Sequence, residues 1–284
     1  MYKRQVWEGV RSEPANIPDT PWTKVIEKAV ARDREHRFNT AHTLTRALED
    51  VTLRVEGADD LHPYPGLASF TEDDAEYFFG REAEVEQMWR KLEGPPRMLG
   101  LAGPSGAGKS SFLRAGLLAT RQPTWSHTIC TPGSDPRASL RRALITELEG
   151  DSDAMRELAA GDEDSTVSAV KRWGNRCEHI VIIVDQFEEL FTLNEAEEQR
   201  RFGSILSRLV LDANVFVLVS MRDDFLFNCH KHEPLRPVLP DLTMLGPPEG
   251  LALRRALVQP AQKCGYRFED DELVEEMLAE VEGE

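Results

Sequence analysis

Short runs of apolar residues alternate with amphipathic segments from about residue 64 to the end of the chain. The runs IVIIV and VFVLV are apolar at every position, which is typical of strands that are buried on both faces of a sheet. Strands that alternate with helices in this way predict an α/β fold with a parallel sheet. The five predicted strands are Met98–Ala102, His127–Thr131, Ile180–Val184, Val215–Val219 and Leu242–Leu245.

Apolar positions spaced three and four residues apart predict the helices between these strands. The charged segment at residues 150–165 favours a short helix with loops, and another helix is predicted from Asp270. Upstream of the first strand, Val85, Met88 and Leu92 form the apolar stripe of a helix. The main predicted helices are Ser110–Thr120, Pro136–Glu149, Glu195–Leu211 and Glu249–Lys263.

The pattern before residue 64 is different. Two amphipathic segments predict a short helical region within residues 6–50, and the polar residues 51–63 are typical of a linker. We expect an α/β domain at residues 64–248 and the beginning of a helical domain at residues 249–284.

Composition narrows the class of protein. The net charge of −16 disfavours broad binding to nucleic acid, because an acidic surface repels phosphate backbones. No apolar run is long enough to span a bilayer, so we expect no membrane segment in this chain. The four cysteines are far apart, which favours a reducing, cytoplasmic location over a disulfide framework. The sequence CHKH at residues 229–232 fits no zinc spacing and is interpreted as a loop without metal.

The segment GLAGPSGAGKSSFLRAG at residues 100–116 contains the pattern G-x-x-x-x-G-K-[ST] between a predicted strand and a predicted helix. In such a phosphate loop, glycines let backbone N–H groups surround phosphate oxygens. Lys109 is expected to reach the β- and γ-phosphates, facing solvent without a partner when the loop is empty, and Ser110 to ligate Mg²⁺. The predicted nucleotide-binding residues of this loop are Gly103, Ser105, Gly106, Ala107, Gly108, Lys109, Ser110 and Ser111.

Acidic residues follow the buried strand HIVIIV. Asp185 is predicted at the carboxyl edge of the sheet, where it can hold Mg²⁺. Gln186 stands beside it, where many ATPases have glutamate. Glu188 is the preferred candidate to orient the attacking water, with Glu189 as the other candidate. Alternatively, both acids only stabilise a helix N-terminus.

Two basic positions complete the candidate site. Arg222 can stabilise γ-phosphate charge if its strand inserts between the first and third strands, or it can form a surface ion pair with Asp223 or Asp224. Gly80 and Arg81 open the helix before the phosphate loop and can flank the adenine. The alternative for that region is a hydrophobic staple formed by Phe78 and Phe79.

Five segments together resemble the bacterial novel STAND NTPases, signal-transduction ATPases related to the NACHT and apoptotic ATPases: PYPGLASFTEDDAEYFFGRE, LAGPSGAGKSSFLRAGLL, VIIVDQFEELFT, LVSMRDDF and ALVQPAQKCGYRFEDDELVEEML. The resemblance implies a five-stranded parallel sheet of order 5-1-4-3-2. It also implies that Lys109 and Ser110 form the Walker A pair, that Asp185 is the Walker B acid and that Arg222 is the sensor-1 arginine. Glu188 and Glu189 are then the acids that follow Walker B.

The ends of the chain depart from a complete protein of this kind. The proline-bearing lid motif of the family is expected after the last residue, so the helical lid begins at residue 249 but is truncated. Residues 6–50 resemble the last helices of a bacterial Ser/Thr protein kinase, with Arg37 at a kinase arginine position; a two-helix adaptor is the alternative. The nucleotide-binding and catalytic motifs of a kinase are missing, which excludes protein kinase activity in this fragment. Residues 1–5 resemble a sequencing-adaptor scar; an ordinary basic N-terminus is the alternative.

The resulting functional hypothesis is a cytoplasmic switch that binds ATP and Mg²⁺, hydrolyses slowly, and engages an unknown effector or associates with itself. The alternative is a P-loop enzyme in which turnover is the purpose, such as a motor ATPase or a small-molecule kinase. Two features favour the switch: Gln186 stands beside Asp185 in place of a glutamate, and a kinase-like segment precedes the domain.

Overall fold

The computed structural model describes residues 63–282 except Leu67, Asn214 and Pro240; upstream of these it describes only the five residues Val25, Lys28, Ala29, Ala31 and Leu44. Contacts divide the chain into two units, residues 1–62 and residues 63–284. The adaptor-like residues 1–5, the kinase-like helices and the linker therefore lie outside the described residues, apart from these five and Pro63.

The second unit contains a parallel sheet of five strands in the order β2-β3-β4-β1-β5. This is the predicted order read from the opposite edge, so the α/β fold and the insertion of β4 between β1 and β3 are confirmed. The strand bounds agree with the apolar runs to within a few residues. The strands are β1 Met98–Gly103, β2 Trp125–Cys130, β3 His179–Val184, β4 Phe216–Arg222 and β5 Asp241–Met244.

Alternate residues of the central strands contribute to two separate hydrophobic clusters. In β3, Ile180, Ile182 and Val184 belong to one cluster, and Val181 and Ile183 belong to the other. Each face of the sheet is thus covered, since successive side chains of a strand point to opposite faces. Burial on both faces explains why these runs have no polar position.

Ten α-helical segments are present among the described residues from 63 to 282. Two of them flank the phosphate loop in sequence. The first, α1, buries Val85, Met88 and Leu92, which form the predicted stripe, and the second, α2, starts the helix after the loop. The bounds are α1 Glu82–Leu92, α2 Lys109–Ser111, α3 Pro136–Glu147, α4 Ser152–Ala160, α5 Glu163–Gly174, α6 Glu188–Leu193, α7 Ala196–Asp212, α8 Leu226–Lys231, α9 Gly250–Lys263 and α10 Asp271–Glu282.

The charged segment after α3 forms more helix than the sequence predicted. Residues 150–165 contain the predicted short helix, α4, and the first residues of a second helix, α5, which the sequence did not predict. The Asp162 carboxylate caps α5 by accepting from the Ser165 N–H at 2.8 Å, and the helix buries Val167, Val170 and Trp173. The many acidic residues at its first turn concealed this apolar face, although they suit a helix N-terminus.

The helix after the phosphate loop is less regular than predicted. After α2 the backbone is π-helical at Phe112–Leu117 and 3-10 helical at Leu118–Thr120. Gly116 lies against Phe78 and Val85; a Cβ there would be 2.9 Å from a side-chain carbon of each. Phe78 therefore packs on the helix that follows the phosphate loop, and the staple of Phe78 and Phe79 stays a prediction.

The CHKH segment was expected to be a loop, and that part of the prediction is wrong. Cys229 and Lys231 belong to α8, and Cys229 is buried against Met221. The apolar residues Leu226 and Phe227 precede the segment in the same helix, which ends at Lys231. Among the described residues, no group of three or more His, Cys, Asp or Glu side chains is arranged to hold a metal ion.

None of the helices in the described part of the chain combines the length and the apolar content that a bilayer crossing requires.

Candidate nucleotide-binding site

The predicted site residues lie where β1, β3 and β4 end side by side. In the register of the sheet, Gly103 is opposite Arg222 and Val184 is opposite Val219. Asp185 consequently follows β3 next to Ser220. The phosphate loop, the Asp185 corner and Arg222 all lie at the carboxyl edge, where ligands bind in open parallel sheets.

The phosphate loop has the backbone that an anion cradle needs. Gly106 and Gly108 both have φ of +82°, in the left-handed region that glycine tolerates best. Among the described residues, the N–H groups of Ser105, Gly106 and Gly108 have no hydrogen-bond partner, whereas Ala107 N–H donates to the Pro104 carbonyl. Unpaired N–H groups at the start of a helix favour a phosphate.

Three further members of the loop have structural contacts. Gly103 packs so closely on β5 that a Cβ would lie 2.1 Å from the Leu245 carbonyl oxygen. The Ser111 hydroxyl accepts a hydrogen bond from Phe70 N–H at 3.1 Å. Ser110 lies partly exposed in the first turn of α2, the position from which it was predicted to ligate Mg²⁺.

Lys109 is not unpaired, which corrects the expectation for an empty loop. Its Nζ donates to the carbonyl oxygens of Gly103 and Pro104, both at 2.8 Å. Burial lowers the pKa of Lys109, and the nearby carboxylates of Glu188, Asp185 and Asp223 oppose that shift. The loop carbonyls are close enough to satisfy the ammonium while no phosphate competes for it.

Asp185 is buried and fixed by hydrogen bonds. Its Oδ1 accepts from the Ser220 hydroxyl and from the Gln186 N–H, the latter at 3.0 Å. Gln186 has φ of +54°, and the next N–H, of Phe187, donates to the Ser220 carbonyl at 2.7 Å. Within the described residues Oδ2 has no partner, so one carboxylate oxygen is available to a cation or its water shell.

The two following acids have different partners. Glu189 Oε2 accepts from Gly133 N–H at 2.9 Å and so fixes the loop after β2. Glu188 Oε2 accepts from Arg222 N–H at 3.3 Å, and its charge acts on Lys109. Of the two, Glu188 is the one on the phosphate-loop side.

Arg222 forms the ion pair that was its alternative interpretation. Its Nε is 3.1 Å from Asp224 Oδ1 and its Nη2 is 2.7 Å from Asp224 Oδ2. The guanidinium is about half exposed and its charge also acts on Lys109, so it lies near the phosphate loop. A surface pair of this kind is worth at most about 1 kcal/mol, so a bound phosphate can compete with it.

Gly80 and Arg81 lie between the phosphate loop and α9. Gly80 has φ of +87°, and a Cβ there would be 2.3 Å from the Ala252 carbonyl oxygen. The Arg81 side chain is buried and donates to the carbonyls of Ala107 and Gly246. Contact of this pair with a base remains a prediction.

Two residues of the site were missed from the sequence. Ser220 holds Asp185, and Asp223 contributes negative charge at Lys109. The alternation within β4 could have indicated Ser220, since it is the one polar residue in the buried run FVLVSM. For Asp223 the sequence offered only its position beside Arg222.

A model of the family described as Novel STAND NTPase 1 matches residues 63–284. The chain belongs to this family. It is therefore a P-loop NTPase, a class of nucleotide-binding proteins. No curated protein matches the chain.

The solved structures that resemble this family member include the following two. The Walker-type ATPase PABY2304 of Pyrococcus abyssi matches with a TM-score of 0.58 and 15% identity, over 78% of this chain and 66% of that one. The ORC2 protein of Aeropyrum pernix, solved in ADPNP–ADP complexes, matches with a TM-score of 0.48 and 15% identity, over 64% of this chain and 52% of that one. The chain thus spans two thirds or less of these proteins, and the first likeness concerns the fold alone.

Proposed function

We propose that this family member is an ATP-dependent switch that binds ATP with Mg²⁺ and hydrolyses it slowly as a reset. The observation that carries the proposal is the pairing of two features across adjacent strand ends. One is a loop with unbonded N–H groups at Ser105, Gly106 and Gly108, and the other is a buried Asp185 with one open oxygen.

The residues fit Mg–ATP by the chemistry of their donors. Lys109 would exchange its two loop carbonyls for phosphate oxygens, gaining charge-assisted hydrogen bonds. The Ser110 hydroxyl and the open oxygen of Asp185 supply the hard oxygen ligands that Mg²⁺ prefers. Bound Mg²⁺ neutralises charge on the phosphates.

Hydrolysis would depend on Glu188 and Arg222. Glu188, on the phosphate-loop side of α6, would orient a water molecule by accepting its proton in a hydrogen bond, while Glu189 is already bound to Gly133. Arg222 would leave Asp224 to stabilise charge on the transferred phosphoryl group. Gly80 and Arg81 would flank the base.

A switch is favoured over an enzyme of high turnover because Gln186, not a carboxylate, follows Asp185. We propose an effector protein as its partner, with nucleotide-dependent self-association as a second mode of signalling. The kinase-like residues 6–50 would make it part of a bacterial kinase–NTPase fusion. A reducing cytoplasm would suit its cysteines, all four of which are unpaired.

Nucleotide content and turnover test the proposal together. The purified protein should retain ADP, and ATP hydrolysis should be much slower than one turnover per second without a partner. Rapid multiple turnover, well above the 1 s⁻¹ that is the low end for enzymes, would instead support the catalytic alternative. Failure to bind ATP or ADP with Mg²⁺ would contradict both.

A further inference from the structure

We propose that Arg81 is a positioning residue that couples the phosphate loop to the first turn of α9. The inference rests on the proposed function, because the coupling acts only when a nucleotide occupies the loop. It assigns the side chain a role beyond its expected place beside the base.

The Arg81 guanidinium joins three segments that are distant in sequence. Its Nη2 donates to the Ala107 carbonyl at 3.3 Å and to the Gly246 carbonyl at 2.6 Å. Its Nη1 is 3.0 Å from Glu84 Oε1. Ala107 belongs to the phosphate loop, and Gly246 belongs to the connection between β5 and α9.

This arrangement is not an ordinary surface ion pair. Arg81 is 7% exposed, and a buried guanidinium is costly unless its N–H groups are satisfied. Two of its acceptors are backbone carbonyls, whose positions cannot change without moving the loop or the connection. The charge of the side chain thus fixes the backbone on both sides.

Close packing holds the same two segments together on either side of the guanidinium. Leu245 N–H donates to the Ala102 carbonyl at 2.7 Å, and the Leu245 carbonyl abuts Gly103. Gly80, which precedes Arg81, abuts the Ala252 carbonyl in the first turn of α9. A displacement of the phosphate loop is therefore transmitted to residues 245–252.

Phosphate binding supplies that displacement. Lys109 has to leave the carbonyls of Gly103 and Pro104, which frees the first residues of the loop to shift. The Ala107 carbonyl moves with this loop and carries Arg81 with it. Both carbonyls are bonded by the same nitrogen, Nη2, so a lysine ammonium could replace it, whereas a methionine at position 81 has no donor and cannot bridge them.

Hydrogen exchange with saturating Mg–ADP separates binding from coupling. In the wild-type protein, amides at both 103–111 and 249–256 should exchange about fivefold or more slowly with nucleotide, a ratio typical of allosteric coupling. In Arg81→Met, the Mg–ADP concentration is raised until the 103–111 amides are protected, and at that occupancy the 249–256 amides should show no nucleotide-dependent protection. Arg90→Met is the matched control, because Arg90 lies in α1, which follows Arg81, in an exposed pair with Glu86.

Nucleotide-dependent protection at 249–256 that persists in Arg81→Met would overturn the proposal. If that variant does not fold, Glu84→Gln weakens the anchor of Nη1 and should reduce the 249–256 response by a smaller factor; an unchanged response would also overturn it. If the wild-type 103–111 amides do not respond to Mg–ADP, the proposed function fails, and the two failures are distinguishable.

Discussion

The phosphate loop and the Asp185 corner lie at the same sheet edge but are built in opposite ways. The loop leaves N–H groups at Ser105, Gly106 and Gly108 unbonded, whereas the corner at 185–187 has its N–H groups bonded to Ser220, Asp185 and Cys130. The loop keeps its N–H donors available for a ligand, whereas the hydrogen bonds of the corner fix the backbone that carries the Asp185 carboxylate. Receiving a phosphate and positioning a cation ligand thus make different demands on the backbone.

The largest effect on nucleotide binding is expected for Lys109→Ala. Removing the ammonium leaves the phosphates without their main cationic contact, so affinity for Mg–ATP should fall by about 100-fold or more. Calorimetric titration measures it, with exposed Lys171→Ala as the control. Undiminished affinity in Lys109→Ala would refute the role of the loop.

Glu188→Gln should reduce single-turnover hydrolysis by about 10²- to 10⁴-fold with little change in affinity, because the amide polarises water poorly. Glu189→Gln is the matched variant. It should slow hydrolysis less than Glu188→Gln does. It should also lower the thermal stability, since Glu189 accepts a hydrogen bond from Gly133 N–H. A reversed order of the two hydrolysis rates would transfer the catalytic role to Glu189.

Arg222→Ala should also slow hydrolysis, by about 10²-fold or more, while preserving binding. Asp224→Asn sharpens this prediction, because it weakens the pair that holds the guanidinium. Single-turnover rates should rise in Asp224→Asn and fall in Arg222→Ala. Equal rates in both variants and the wild type would leave Arg222 with only its surface ion pair.

Ser220→Ala should have the smallest effect on the site. The Asp185 carboxylate would lose a donor that orients it, and loss of such an outer partner lowers metal affinity by about 10- to 100-fold. Titration of Mg²⁺ at fixed ADP measures the change, whereas affinity for ADP without Mg²⁺ should be kept. An equal loss with and without Mg²⁺ would mean that the whole corner is disturbed.

The sequence predicted the strands well because burial on both faces leaves a simple signal. It predicted the strand order only through a family resemblance, since apolar runs such as IVIIV do not encode their neighbours. The helix α5 was not predicted because its first turn is strongly acidic, and a charged segment of this kind was interpreted as part of a loop.

Within the site, the phosphate loop was predictable because its glycines and lysine act through local backbone. The backbone groups that Lys109, Glu189 and Arg81 bind could not be predicted, since only the fold brings them to these side chains. Arg81 joins residues 107 and 246, a pairing that exists only after β5 is placed beside β1.

The position of β1 in the sheet has a consequence for the order of folding. Its neighbours are β4 and β5, so within the described part of the chain the sheet pairs residues 98–103 with residues 217–222 and 241–244. Such non-local pairing is slow, because a long loop must close before any contact compensates for it. On the ribosome, β1 must wait unpaired until nearly the whole domain has emerged. Acquisition of nucleotide binding would then mark the end of folding.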